Sequence, residues 1–238
     1  MRIVVTNCNT TQEMTAEIVE GARAAAGPGT LVTGLTPAWG PESAEGWLDS
    51  HLSAAAVMDA LRTYDGPPYD AVVMAGFGEH GREGVRELVD VPVVDITEAA
   101  AHLACLLGRR YGVVTTLERT RGQIEDSLEL AGVARNCAAV VSTGLGVLEL
   151  TDPDRTEAAF LAAAEHARAA GAEVLVLGCA GMTGLQRIVA EKLGMPVVDG
   201  VGAAVKLAES LVFLGLNTSR AGSYEKPLPK RRVWGRGG

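Results

Sequence analysis

The chain repeats itself, and the repeat limits what it can fold into. Asp70-AVVMAGFG aligns with Glu173-VLVLGCAG, and Val91-PVVDITEAAAHLA aligns with Met195-PVVDGVGAAVKLA. The first run pairs Gly76 with Cys179, 103 residues apart, and the second pairs Pro92 with Pro196, 104 apart, so one residue is gapped. The openings match as well, since IVVTN at Ile3–Asn7 resembles GVVTT at Gly112–Thr116. A repeat this long is no solenoid unit and reads as a duplicated small domain. Within each copy, short β-branched runs alternate with Ala/Leu/Glu-rich helical stretches, which is the pattern of βαβ units and a parallel sheet. The strand candidates are Ile3–Thr6, Leu31–Gly34, Ala71–Ala75, Val93–Val94, Gly112–Thr115, Ala139–Ser142, Val174–Gly178 and Val197–Val198. The expected fold is α/β: two pseudo-symmetric, open parallel-sheet domains of flavodoxin-like kind, with the active site in the cleft between them. The first domain takes residues 1–97 plus about 208–238, and the second takes 98–207. The break falls near Ile96–Ala99, and the last helix, near Ala203–Leu214, begins the return to the first half.

Composition excludes several classes. At 47% hydrophobic but 4% aromatic residues, with 29 Gly, the core is built from Ala, Val and Leu, which suits α/β better than an aromatic sandwich. A net charge of −8 offers no basic field for nucleic acid. No stretch approaches the roughly 20 uninterrupted apolar residues of a membrane span, and MRIVVTNCN enters a strand pattern without a signal-peptide core. A cytoplasmic location is expected. Cys8, Cys105, Cys137 and Cys179 show no metal-ligand spacing, so they are expected as free thiols, and no metal site follows. No Walker sequence or dinucleotide fingerprint appears, GFGEHG having the wrong glycine spacing, and no cofactor is implied.

Ligands of open parallel sheets lie beyond the carboxyl ends of the strands. That places Asn7, Gly76, Thr116 and Cys179 at the cleft. Cys179 leaves a strand beside a helix start, with a capping box expected from Thr183 to Gln186. Helix-terminal N–H groups there would favour the thiolate and lower its pKa. Its flanks Ala180 and Gly181 leave room and bare amides for a substrate; the alternative is a cysteine packed in a tight turn. Capping boxes are also expected at Thr10–Glu13 and Thr115–Glu118, where Asn7, Thr115 and Thr116 would bind an oxyanion or serve as caps alone. Strand alternation turns Cys8 away from Asn7 and Asn9, making it structural. Cys105 and Cys137 read as packed hydrophobes. His51, His102 and His166 fall in helical stretches, while His80 lies near the cleft by position. Phe77, Gly78, Pro41 and Trp39 are candidates for shaping a substrate pocket.

NCNTT at Asn7–Thr11, GPESAEG at Gly40–Gly46, GFGEHG at Gly76–Gly81, GVVTT and LGCAGM together resemble the hydantoin racemase branch of the aspartate/glutamate racemase superfamily, over nearly the whole chain. The resemblance implies two α/β domains, a cofactor-free site between them, and homo-oligomers. It also implies a two-cysteine mechanism on a 5-substituted hydantoin: a thiolate removes the C5 proton, and a thiol on the opposite face returns one. The family's first cysteine falls at position 76, where this chain has Gly76. The repeat points to the same place, because it pairs Gly76 with Cys179. The expected reading is a racemase scaffold whose second base has been removed by substitution, leaving turnover impaired. A single-cysteine arylmalonate decarboxylase is the catalytic alternative, although Phe77-Gly78 lacks the hydroxyl residues such enzymes place after the glycine. A non-catalytic small-molecule binder is the third. The segment from Ser219 onward, rich in Pro, Gly and basic residues, reads as a surface tail or as a contact to a neighbour anchored by Tyr224 or Trp234.

Overall fold

The structure is a computed structural model, and it describes every residue except 151, 183, 184 and 236–238. The first half runs β1 (Arg2–Thr6), α1 (Gln12–Ala25), β2 (Leu31–Leu35), α2 (Trp47–Arg62), β3 (Ala71–Met74), α3 (Arg82–Leu88), β4 (Val93–Asp95) and α4 (Ile96–Leu107). The second runs β5 (Tyr111–Thr115), α5 (Arg121–Leu130), β6 (Cys137–Ser142), α6 (Pro153–Ala169), β7 (Val174–Leu177), α7 (Gln186–Leu193), β8 (Val197–Asp199) and α8 (Gly200–Phe213). All eight strands lie where the β-branched runs placed them. Each half forms a parallel four-stranded sheet, ordered β2-β1-β3-β4 and β6-β5-β7-β8. The orders are the same once the numbering is shifted, so the duplication holds for topology as well as for sequence.

The central strands show why this sequence folds so. AVVM of β3 and VLVL of β7 are buried at every position, as expected of strands covered by helices on both faces. β2 lies at an edge, and only its Val32 is buried. On α1, Thr15, Ile18, Val19 and Ala22 recur at helical spacing and form its buried stripe. The shared PVVD motif has a local cause: two valines complete the strand and the aspartate caps the next helix. Asp95 accepts from Thr97 N and Glu98 N at the head of α4, and Asp199 accepts from Gly202 N at the head of α8.

These capped helices cross between the halves. α4 packs on β7 and β8, α8 packs on β3 and β4, and the two helices pack on each other. The main core is therefore continuous from Ile3 and Val73 of one sheet to Val113 and Val176 of the other. Of the expected capping boxes, α1 begins after Thr11 with no side-chain cap, and the 3₁₀ turn Glu118–Thr120 follows Leu117 with none either. Thr115 is committed elsewhere, as the site shows. The box from Thr183 lies outside the described residues. The chain after α8 runs back over α3. Arg220 bonds the Arg86 carbonyl, Tyr224 donates to Glu83, and Lys226 pairs with Asp90. Tyr224 thus anchors the tail on its own first half, and Trp234 lies under Arg62. No helix among the described residues is long and apolar enough to cross a membrane.

Candidate active site

The two sets of strand ends meet around one cavity of about 40 Å³, lined by Asn7, Cys8, Gly76, Phe77, Thr115, Thr116, Cys179 and Ala180 among others. Of the residues expected from sequence, Pro41, Gly78 and Gly181 stand just outside this lining. The Pro41 carbonyl instead accepts from Thr10 N at 3.0 Å, and Ala44 takes the place at the wall. Trp39 turns away, its Nε1 donating to Asp59 at 2.9 Å.

After β1 the chain turns sharply on two asparagines. Asn7 Oδ1 accepts from Asn9 N at 3.3 Å, while Asn9 Oδ1 accepts from Asn7 Nδ2 at 2.9 Å and from Thr11 N at 3.0 Å. Asn7 Nδ2 also reaches the Thr11 carbonyl and Thr15 Oγ1. The Asn7 amide is thus spent on shaping the turn, contrary to the oxyanion-binding role expected for it. The same turn corrects the reading of Cys8. The strand ends at Thr6, so alternation no longer governs, and the Asx geometry swings Cys8 into the cavity.

Cys179 follows β7 at the head of a 3₁₀ turn, Ala180–Met182, and not directly at the head of α7. Thr115 Oγ1 donates to the Gly178 carbonyl at 3.2 Å and ties this peptide to the end of β5. Burial pushes the Cys179 thiol up to about 11; a Gly181 N–H bond pulls the other way, and the Glu45 charge adds to the rise. Burial thus opposes the expected lowering of its pKa, and the residue enters a short 3₁₀ turn before α7. Cys8 is pushed up to about 12, first by burial and then by the facing Cys179.

At Gly76 a side chain would begin 2.5 Å from His80 Cδ2, 2.7 Å from Cys8 Cβ and 3.0 Å from Cys8 Sγ. A side chain added here would meet the imidazole and the Cys8 side chain, so one of them would have to shift. His80 is buried, and its Nε2 lies 3.3 Å from the Phe77 carbonyl. Burial drops its pKa to about 4. The loop after Gly76 is fixed by Gly78, whose N–H donates to Thr97 Oγ1 at 2.8 Å and whose carbonyl accepts from Ser127 at 3.2 Å. Gly78 has φ +119°, open to glycine but strained for other residues.

Sequence reasoning missed Gln123, Thr120 and Asn9, which also line the cavity. The available signal for Gln123 was helical spacing: with Ser127 one turn on, it shares the inward stripe of α5 with Ile124 and Leu128. Its Oε1 has no hydrogen-bond partner among the described residues, nor has His80 Nδ1 or, one residue outside the lining, Glu79 Oε2. Lysine, arginine, aspartate and glutamate are all missing from the described lining. Among the described residues no group of three or more His, Cys, Asp or Glu is placed to hold a metal ion. The halves are joined across the mouth by Glu45, whose Oε1 accepts from Val147 N at 2.7 Å.

Two like parallel-sheet units, with a cavity at their strand ends that Cys8 and Cys179 both line, define the class of duplicated α/β proteins to which this fold belongs. The chain belongs to the Asp/Glu/hydantoin racemase family, whose model matches residues 3–208. It is 54% identical to the allantoin racemase of Pseudomonas fluorescens, with a TM-score of 0.95 over 98% of this chain and 100% of that one. The allantoin racemase of Klebsiella pneumoniae is 38% identical, with a TM-score of 0.93 over 99% and 97%. A hydantoin racemase of Paenarthrobacter aurescens is 37% identical over 97% of this chain and 99% of its own. Arylmalonate decarboxylase, at 19% identity and a TM-score of 0.62, shares the fold.

Proposed function

We propose that this protein racemises a small 5-substituted hydantoin at C5 by proton transfer on both ring faces, without a cofactor. Allantoin, named for the two allantoin racemases it resembles, is a hydantoin with a ureido group at C5 and is the substrate we favour. The observation that carries this reading is the uncharged cavity. Both thiols and His80 are neutral near pH 7, and no charged side chain lines the described wall. A malonate or a free amino acid would enter without a cation for its carboxylate, at a large desolvation cost. A neutral ring carries no such cost, and its C5–H is acidified by the adjacent carbonyl. The decarboxylase alternative is not favoured on the same ground.

In the proposed reaction the Cys179 thiolate takes the C5 proton, and the electron pair spreads into the ring as an enolate. An acid on the opposite face protonates C5, and the reverse sequence serves the other enantiomer. The second group comes from the wall that Gly76 leaves open to its neighbours. Cys8 and the adjacent Glu79 are the acid–base side chains free for that step, since His80 gives Nε2 to the Phe77 carbonyl. That wall is packed, which argues for a working second group and against a scaffold impaired by a lost cysteine. We also infer a homo-oligomer in the cytoplasm, from the family resemblance.

Chiral chromatography of each allantoin enantiomer, with deuterium exchange at C5 followed by NMR, tests the reading. The protein should racemise both enantiomers, Cys179→Ala should abolish this, and either Cys8→Ala or Glu79→Gln should remove exchange from the opposite face. Failure of the full chain to racemise any small hydantoin would overturn it.

A further inference from the structure

Gln123 is 2% exposed, and its side-chain oxygen has no hydrogen-bond partner among the described residues. It comes from α5 of the second half but lies against the first-half loop. Its Nε2 would stand 2.9 Å from a side chain on Gly78. Ser127, one helical turn along, holds the same Gly78 peptide by its carbonyl. The position is therefore fixed by surrounding structure, while the polar end is left without an internal partner. Buried amide oxygens are almost always paired, so an orphan on a residue that lines the cavity points to a donor that a ligand brings. His80 Nδ1 is a second such atom on the same wall. With Nε2–H given to the Phe77 carbonyl, Nδ1 is an acceptor. Two orphan acceptors in an uncharged cavity match the two ring N–H donors of a cyclic ureide.

We propose that Gln123 is a substrate-recognition residue whose Oε1 accepts a ring N–H of a neutral cyclic ureide, with His80 Nδ1 as the second acceptor. This deepens the racemase reading and rests on it for the ring class. It is tested by binding alone, so the two can fail separately. A site built to accept an N–H discriminates against analogues that lack it, because its own polar atom is then left unpaired.

Calorimetry on the full chain should compare 5-methylhydantoin with its N1-methyl and N3-methyl derivatives, in the wild type and in Gln123→Met. Methionine keeps the length of the side chain and removes the acceptor. The wild type is expected to prefer the parent ring over one N-methyl derivative by about tenfold or more. In Gln123→Met that preference should shrink to within about threefold, chiefly through weaker binding of the parent. The variant should melt no lower than the wild type, because no internal hydrogen bond is lost. A preference unchanged in the variant, no preference in the wild type, or no binding of the parent would each overturn the proposal. So would a lowered melting temperature with uniform loss for all three ligands, the signature of a structural role. If the wild type binds with the expected pattern but never exchanges the C5 proton, the racemase reading falls and Gln123 stands as the recognition residue of a binder.

Discussion

Cys8 occupies the space a side chain on Gly76 would need, its Cβ standing 2.7 Å from where that side chain would begin. With His80 Cδ2 at 2.5 Å on the other side, position 76 is a close-approach glycine. Gly76→Ala should therefore overpack the cavity and cost about 1–3 kcal/mol. For a chain this long that lowers the melting temperature by roughly 2–4 °C per kcal/mol. Gly76→Cys should be destabilised at least as much and should lower, not raise, racemisation of allantoin. A gain in rate with an unchanged melting temperature would restore the impaired-scaffold reading.

The raised thiol of Cys179 sets a pH dependence. Its pKa of about 11 reflects burial first, so near neutral pH only a small fraction of free protein carries the thiolate. For the enantiomer whose C5–H faces Cys179, kcat/KM should climb about tenfold per pH unit from neutrality toward that value. The other enantiomer should show the same climb, because the two are equal in free energy and a racemase must therefore have equal kcat/KM for both at every pH. Alkylation by iodoacetamide should follow the same alkaline rise. A plateau already reached at pH 7 for both would mean that the thiolate is stabilised in a way this geometry does not provide.

Much of this was legible in the sequence, for reasons that differ by residue. The strands were readable because Val and Ile runs buried on both faces have few other uses, and the repeat fixed their order. Cys179 and Gly76 were found because strand ends in a parallel sheet converge by topology. Cys8 was misread because an Asx turn, not strand alternation, aims its side chain. The effect of burial on the Cys179 thiol was not legible, because a helix start can be read from local pattern while desolvation depends on the assembled cavity. Pro41 lies three residues before Ala44, which forms the wall, a distinction no local pattern encodes. The role of Gln123 depends on two halves meeting, and only the assembled fold displays that.

Histidine 80 should make the protein acid-sensitive. Its pKa falls from an ordinary 6.5 to about 4 because burial disfavours the imidazolium. The unfolded chain then binds a proton below about pH 6.5 that the folded chain refuses until about pH 4. Stability is full above 6.5, drops as pH falls through that window and levels off below it. The loss amounts to roughly 3 kcal/mol. Chemical denaturation across the window should show a shallower acid slope in His80→Asn than in the wild type. Parallel slopes would show that His80 is already protonated in the fold.

Glu45 joins the halves at the mouth of the cavity and also acts on the reacting sulfur. Its Oε1 accepts from Val147 N at 2.7 Å, and its charge raises the Cys179 pKa beyond the effect of burial. Two substitutions separate these roles. Glu45→Gln keeps an acceptor for Val147 but removes the charge, so the alkaline limb of kcat/KM should move to lower pH with the melting temperature nearly unchanged. Glu45→Ala removes both, and losing the cross-cleft bond should cost about 1 kcal/mol. It should also speed alkylation of Cys179 by loosening the mouth. If Glu45→Gln leaves the limb where it was while Glu45→Ala moves it, the carboxylate acts by holding the loops together and its charge does not reach the thiol.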